Sequence, residues 1–292
     1  MKGTVLYSPR DVRFEERPEP TIVEPTDAIV RLSVTSICGS DLWPYRGISA
    51  VPEPTPMGHE YCGIVEEVGR AVTSIRPGQF VIGSFFASDN SCPNCAAGYQ
   101  TSCLHVQPVV GAQAPFLRVP LADGTLVATR EVPPDDMFPS LQAVSDVMGT
   151  GWFAALAADV KPGETVVVVG DGAVGLLGVL SAKQLGAARI VAMSGHKDRQ
   201  RLARAFGATD IVTERGDEGV ERIKELTNGI GADSVLECVG TQQSMTQAIR
   251  STRPGGAVGF VGVPHGVELN GEELFYSHVR LHGGPAPVRH YL

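Results

Sequence analysis

The stretch Val166-Val167-Val168-Val169-Gly170-Asp171-Gly172-Ala173-Val174-Gly175 constrains the fold more than any other part of this chain. Successive β-branched residues make a strand buried on both faces, and they break directly into Gly-x-Gly-x-x-Gly ahead of an apolar, Ala-rich segment of helical composition. A strand, a tight glycine turn and a helix N-terminus together present backbone N–H groups to a pyrophosphate, so the stretch reads as a dinucleotide-binding turn. Glycine-rich turns also join strands that bind nothing; the flanking strand and helix carry the reading, not the motif alone. From here strands expected at 190–193, 211–212, 234–239 and 257–261 alternate with helices at 173–185, 198–206, 220–227 and 244–250. That alternation predicts a parallel sheet covered on both faces, a doubly wound α/β fold.

The chain before about residue 155 has a different grain. Period-two patterns at 4–7, 12–15, 28–34 and 61–68, bounded by Pro and Gly, predict antiparallel strands. We therefore expect a mainly antiparallel β domain over 1–155 and a doubly wound domain over 156–292, a division that suits a chain of 292 residues with 43% hydrophobic content. A net charge of −8 with no basic block argues against a nucleic-acid partner. The N-terminus meets Arg10 and Asp11 before any apolar core of a signal peptide forms. The longest apolar run, 173–182, falls well short of the ~20 residues that span a bilayer. No membrane association and a cytoplasmic location are expected.

Cysteines occur at 38, 62, 92, 95, 103 and 238, and in a cytosolic chain of this size clustering suggests metal ligands before disulfides. Cys62 and Cys238 sit in apolar strand-like runs and read as small buried hydrophobes. Cys38-Gly39-Ser40-Asp41 follows one expected strand and Met57-Gly58-His59-Glu60 precedes another, so a rigid sheet can aim a thiolate and an imidazole at one point. A zinc ion suits those donors, with one position left open if the site is catalytic. A second frame, Asp89-x-x-Cys92-x-x-Cys95 followed by Cys103, supplies three thiolates and a carboxylate. It can close a tetrahedral structural zinc site, or be a loop whose thiols hold nothing. His105 reads as an ordinary loop histidine.

Taken in order, Cys38-Gly39-Ser40-Asp41, Gly58-His59-Glu60, the cysteine frame at 92–103 and the turn at 170–175 resemble the zinc-dependent medium-chain alcohol dehydrogenase family, including its threonine- and formaldehyde-dehydrogenase-like branches. The resemblance covers nearly the whole chain. It implies a GroES-like first domain, a Rossmann second domain, and a third catalytic zinc ligand just before the nucleotide domain. The matching residue is Asp146, where other branches carry a cysteine; the bland alternative is that Asp146 caps the helix through 154–158. The resemblance also implies that Glu60 neighbours the metal, sometimes as an exchanging ligand, against the alternative of a solvated carboxylate at a strand start. Ser40 matches the hydroxyl that relays the substrate proton. Trp43 stands where many relatives carry the next relay histidine, which leaves the proton to another route and makes Trp43 a candidate pocket residue. The structural zinc would be held by Asp89, Cys92, Cys95 and Cys103.

For the dinucleotide, Gly170, Gly172, Ala173, Val174 and Gly175 form the turn, and the resemblance makes Thr150, Gly240, Val261 and Val263 neighbours of the nicotinamide. Cofactor choice is read at the end of the second strand, where an acid bonds the ribose 2′-hydroxyl of NAD. Ser194 occupies that place, with Lys197 and Arg199 after it, which favours NADP(H); Asp198 nearby keeps NAD(H) open. The implied reaction is hydride transfer between the nicotinamide and a small alcohol, aldehyde or ketone whose oxygen sits at the zinc. The resemblance further implies a homo-oligomer, dimer or tetramer. Residues 281–286 resemble the last strand of the nucleotide sheet, after which family members continue with segments not present here, so a C-terminally short chain is expected. Two other readings remain: a non-catalytic nucleotide-binding protein or inactive truncated dehydrogenase, and a zinc-free enone or quinone reductase, which would have no reason to keep Cys38 and His59 together.

Overall fold

A computed structural model of the chain describes residues 1–51 and 53–292. Its residues form two compact units, Met1–Gly149 with Pro287–Leu292, and Thr150–Ala286. The boundary expected at 155/156 falls inside the helix Val147–Ala157, and the last six residues fold with the first unit.

The first unit is built from β1 (Lys2–Ser8), β2 (Asp11–Glu16), β3 (Ala28–Thr35), β4 (Thr55–Pro56), β5 (Tyr61–Val68), β6 (Phe80–Gly83), β7 (Phe86–Ala87), β8 (Gln107–Pro108), β9 (Phe116–Val119) and β10 (Leu126–Ala128). Every strand pair is antiparallel, in sheets ordered β2-β1-β4, β10-β6-β5-β3-β9 and β7-β8. The five-stranded sheet positions the site. One core gathers Ala28, Val30, Tyr61, Val65, Val81, Leu117 and Val119, nearly all below a few per cent exposure. Each such side chain withdrawn from water is worth roughly 1.5–3 kcal/mol for a Val- or Leu-sized group. The neighbouring cluster holds Cys62, Phe80 and Ile82, and the helix Phe138–Val144 lays Phe138 and Leu141 on it. Phe80 and Phe138 stack with ring centroids 4.9 Å apart. That helix escaped the sequence reading because Pro139 lies in its first turn, where a missing N–H costs nothing. Register between β3 and β5 shifts at Ile29/Val30 and Leu32/Val34. A Cβ at Gly63 would collide with the Arg31 carbonyl there, so this strand needs glycine at the bulge.

In the second unit β11 (Thr165–Val169), β12 (Arg189–Met193), β13 (Asp210–Val212), β14 (Ala232–Glu237), β15 (Thr252–Phe260) and β16 (Arg280–Gly283) form one parallel sheet, ordered β13-β12-β11-β14-β15-β16. This is the doubly wound order, with the strand before the glycine turn at the centre. The valines of β11 divide between two cores: Val166 and Val168 pack with Leu176, Val179 and Leu236, and Val167 and Val169 with Val191, Ile223, Val235 and Val258. Helices Ala173–Gln184, Lys197–Phe206, Gly216–Leu226 and Gln242–Ser251 fall close to the expected segments. Two boundaries move. β14 stops at Glu237, not 239, because the chain turns through Gly240 at φ +86°. β15 begins at Thr252, five residues before the apolar run that signalled it. A helix at Gly271–Ser277 was not foreseen. Among the described residues no helix is long and apolar enough to cross a membrane.

Candidate functional site

β3 ends at Thr35, and three residues later Cys38 opens a single 3-10 turn, Gly39–Asp41. The Asp41 carboxylate accepts a hydrogen bond from the Cys38 backbone N–H at 2.9 Å, which fixes the turn. His59 and Glu60 immediately precede β5, which is locked beside β3. Asp146 directly precedes the helix Val147–Ala157, where the positive end of the helix favours a carboxylate. Chain segments far apart in sequence thus deliver Cys38, His59, Glu60 and Asp146 to one place, with one ligand atom from each all within 4.8 Å of one another.

Within that cluster His59 Nε2 lies 3.3 Å from Asp146 Oδ2 and Cys38 Sγ 3.8 Å from the same oxygen. The other imidazole nitrogen, Nδ1, faces Asp41 Oδ1 at 3.4 Å. Ser40 Oγ stands 3.5 Å from His59 Nε2, and the ring of Phe85 meets the imidazole edge-on at 6.2 Å. Burial disfavours an imidazolium here, but hydrogen bonds to Asp146 and Asp41 outweigh it and push His59 up to about 12. Burial also raises the Cys38 thiol, reinforced by Asp146 and opposed by His59. Glu60, only 3% exposed, gives one carboxylate oxygen to Ser36 and Gln142, while its Oε1 is buried with no partner among the described residues. A sulfur, an imidazole nitrogen and carboxylate oxygens brought together, with one buried carboxylate oxygen lacking a partner, fit zinc.

The second cluster brings Asp89, Cys92, Cys95 and Cys103 within the same 4.8 Å limit. Cys92 Sγ is 3.5 Å from Cys95 Sγ and 3.9 Å from Cys103 Sγ, and all six cysteines are free thiols. Backbone N–H groups of Leu104 and Cys95 lower Cys92 to about 7, whereas burial and the adjacent thiols raise Cys95 to about 12. Asp89 accepts from the N–H groups of Ser91 and Cys92, and its other oxygen lies 2.6 Å from His105 Nδ1. His105 is therefore tied to this lobe rather than idle. Burial opposes the Asp89 carboxylate, yet these donors hold it well below the ordinary carboxylate range.

In the second unit the glycine turn has the division of labour its spacing implies. Gly170 adopts φ +111°, and a Cβ there would lie 2.8 Å from Val239. A Cβ at Gly172 would meet nothing within 4 Å, open space at the start of the helix Ala173–Gln184. A Cβ at Gly175 would run into the Gly170 carbonyl. Gly172 and Ala173 are exposed, Val174 half-buried. Gly240 packs closely on residues 262–263, where a Cβ on it would collide with the Val263 carbonyl. Glu237, fully buried, ties them together: its Oε1 accepts from the N–H groups of Val239 and Gly240 at 2.9 and 2.8 Å, and its backbone carbonyl accepts from Val261 at 2.9 Å. Thr150 lies buried in the helix Val147–Ala157, next to Gly151, where a Cβ would run into Leu177 and Gly178.

Ser194 is 2% exposed and its hydroxyl donates to Asp171 Oδ2 at 2.8 Å; Arg199 donates to Asp171 Oδ1 at 2.9 Å. Both residues assigned to a 2′-phosphate are engaged by an acid from inside the glycine turn. Burial works against that acid's charge, but Ser194 and Arg199 hold Asp171 below the usual carboxylate range. Lys197 is exposed. Arg215, absent from the sequence reading, has Nη2 3.2 Å from where a Cβ on Gly195 would stand.

Comparison with known proteins decides the family. Residues 24–139 match the alcohol dehydrogenase GroES-like domain, and residues 173–284 the zinc-binding dehydrogenase domain. Zinc-type alcohol dehydrogenase B of Aspergillus flavus is 35% identical over 99% of this chain and 70% of that protein. The chain belongs to the zinc-dependent medium-chain dehydrogenase family. A probable zinc-binding alcohol dehydrogenase of Mycobacterium tuberculosis is 36% identical over 90% of this dehydrogenase and 68% of its own length. The solved alcohol dehydrogenase TADH from Thermus sp. ATN1 superposes with a TM-score of 0.87 at 30% identity, covering 100% of this chain and 86% of that one. The dehydrogenase is an oxidoreductase of GroES-like plus Rossmann architecture.

Proposed function

We propose that this dehydrogenase interconverts a small alcohol and its carbonyl compound, with zinc held by Cys38, His59 and Asp146 and with NADP(H) as the hydride carrier. The observation that carries the reading is the buried convergence of those three side chains with Glu60, whose Oε1 has no partner. Zinc there supplies a positive charge that lowers the pKa of a substrate hydroxyl. The chain's own residues do the rest. Asp41 holds the His59 ring through Nδ1 so that Nε2 faces Asp146 and Ser40, and Ser40 is within reach to pass a proton outward. The paired cysteine lobe, with Asp89 as its fourth donor, is a closed structural zinc site and takes no part in the chemistry.

The NADP(H) assignment rests on the basic character around residues 194–199. Lys197 and Arg215 are exposed, Arg215 against Gly195, and Arg199 already balances Asp171, so two further cations are open to a phosphate. The reading includes a homo-oligomer. Asp146→Ala, purified and analysed for metal, should carry about one zinc less per chain and lose turnover with a panel of alcohols and aldehydes. Full activity with unchanged zinc would overturn the ligand assignment.

A further inference from the structure

Glu60 is one of the most deeply buried acids in the first unit, and its two oxygens are treated unequally. Oε2 accepts from the Ser36 hydroxyl and from Gln142 Nε2 at 2.9 Å. Gln142 Nε2 also donates to Ser36 Oγ at 2.6 Å, so the three side chains close a hydrogen-bonded triangle. Oε1 is equally buried, has no partner, and belongs to the side chain that shares the 4.8 Å cluster with Cys38, His59 and Asp146. A buried carboxylate oxygen left without a donor is destabilising unless something binds it. Gln142 is 7% exposed, and its helix is pinned to the sheet by the Phe80–Phe138 stack; Ser36 is the residue after β3. Neither donor is free to drift.

We propose that Ser36 and Gln142 are positioning residues that hold Glu60 by one oxygen and present the other to the catalytic metal. With Oε2 engaged by both donors, Oε1 is the oxygen that would be free to meet a bound cation. The inference rests on the metal reading above. No residue of the triangle matches a family motif except Glu60; the pair is defined by the fold.

The experiment uses the full chain loaded with Co2+ in place of zinc and follows the visible d–d band that responds to imidazole. Only an open site takes an added ligand, so this band excludes the cysteine lobe. Gln142→Leu and Ser36→Ala should each weaken Co2+ retention against a chelator by about 10-fold or more, the usual consequence of removing an outer hydrogen-bond partner of a ligand. Both should shift the band, and Ser36→Thr, which keeps the hydroxyl, should restore both properties. In a Glu60→Ala background the two substitutions should add little further loss, since their effect passes through Glu60. Wild-type band and retention in Gln142→Leu and Ser36→Ala, or an undiminished loss in the Glu60→Ala background, overturns the positioning role. A wild-type protein with no imidazole-responsive band overturns the metal reading itself, a separate result.

Discussion

At the residue scale the site depends on groups that do not touch the reacting atoms. Asp41 is the clearest. It closes the 3-10 turn after Cys38 and orients the His59 ring, so one carboxylate sets two expected ligands. Asp41→Asn keeps the shape but weakens the bond to Nδ1, and catalytic metal affinity should fall about 10- to 100-fold, read by competition with a chromophoric chelator. The Cys-x-x-Asp spacing held this signal in plain view, because an acid three residues past a turn-opening residue bonds back to its N–H. Gln142 and Ser36 left no such signal: their partner Glu60 is 82 and 24 residues away.

At the scale of elements, the ends of parallel strands carry two buried acids that the sequence reading did not use. Glu237 stitches the turn after β14 to the turn after β15. Glu237→Ala leaves the N–H groups of Val239 and Gly240 unpaired and should cost about 1–3 kcal/mol for each, measured by urea unfolding. Asp171 joins the glycine turn to the end of β12 through Ser194 and Arg199. Its folded pKa is depressed, so its contribution is fully present above the ordinary carboxylate value and is lost as pH falls through the lowered one. Asp171→Asn should therefore be about 1 kcal/mol less stable than wild type at pH 7, Arg199 being half exposed and screened. The gap should close on acidification below about pH 4. A difference that persists undiminished in acid would mean that the charge of Asp171 is not what holds the turn.

For the molecule as a whole, binding to the native state raises thermal stability by mass action. NADPH at 100 times its dissociation constant adds about 2.7 kcal/mol, or roughly 5–10 °C for a unit of this size. NADH at the same concentration should shift the midpoint less, and Arg215→Ala should erase the difference; a larger shift with NADH refutes the NADP(H) assignment. The architecture itself was open to reading from the sequence. Four valines running into glycines, alternation of strand and helix after them and period-two strands before them each follow from local chemistry, and the GroES-like and Rossmann units appear where those patterns lie. The candidate donors were readable for a similar reason, since thiol, imidazole and carboxylate side chains declare their chemistry wherever they sit, and the fold brings them together. What needed the folded chain was partnership. That Ser194 and Arg199 are taken by Asp171, that β14 ends at a glutamate bonding its own turn, that His105 backs Asp89, and that Gln142 and Ser36 grip Glu60 are all contacts between residues distant in sequence or hidden by burial. Periodicity records which face a side chain takes; it does not record which oxygen finds a donor and which is left alone.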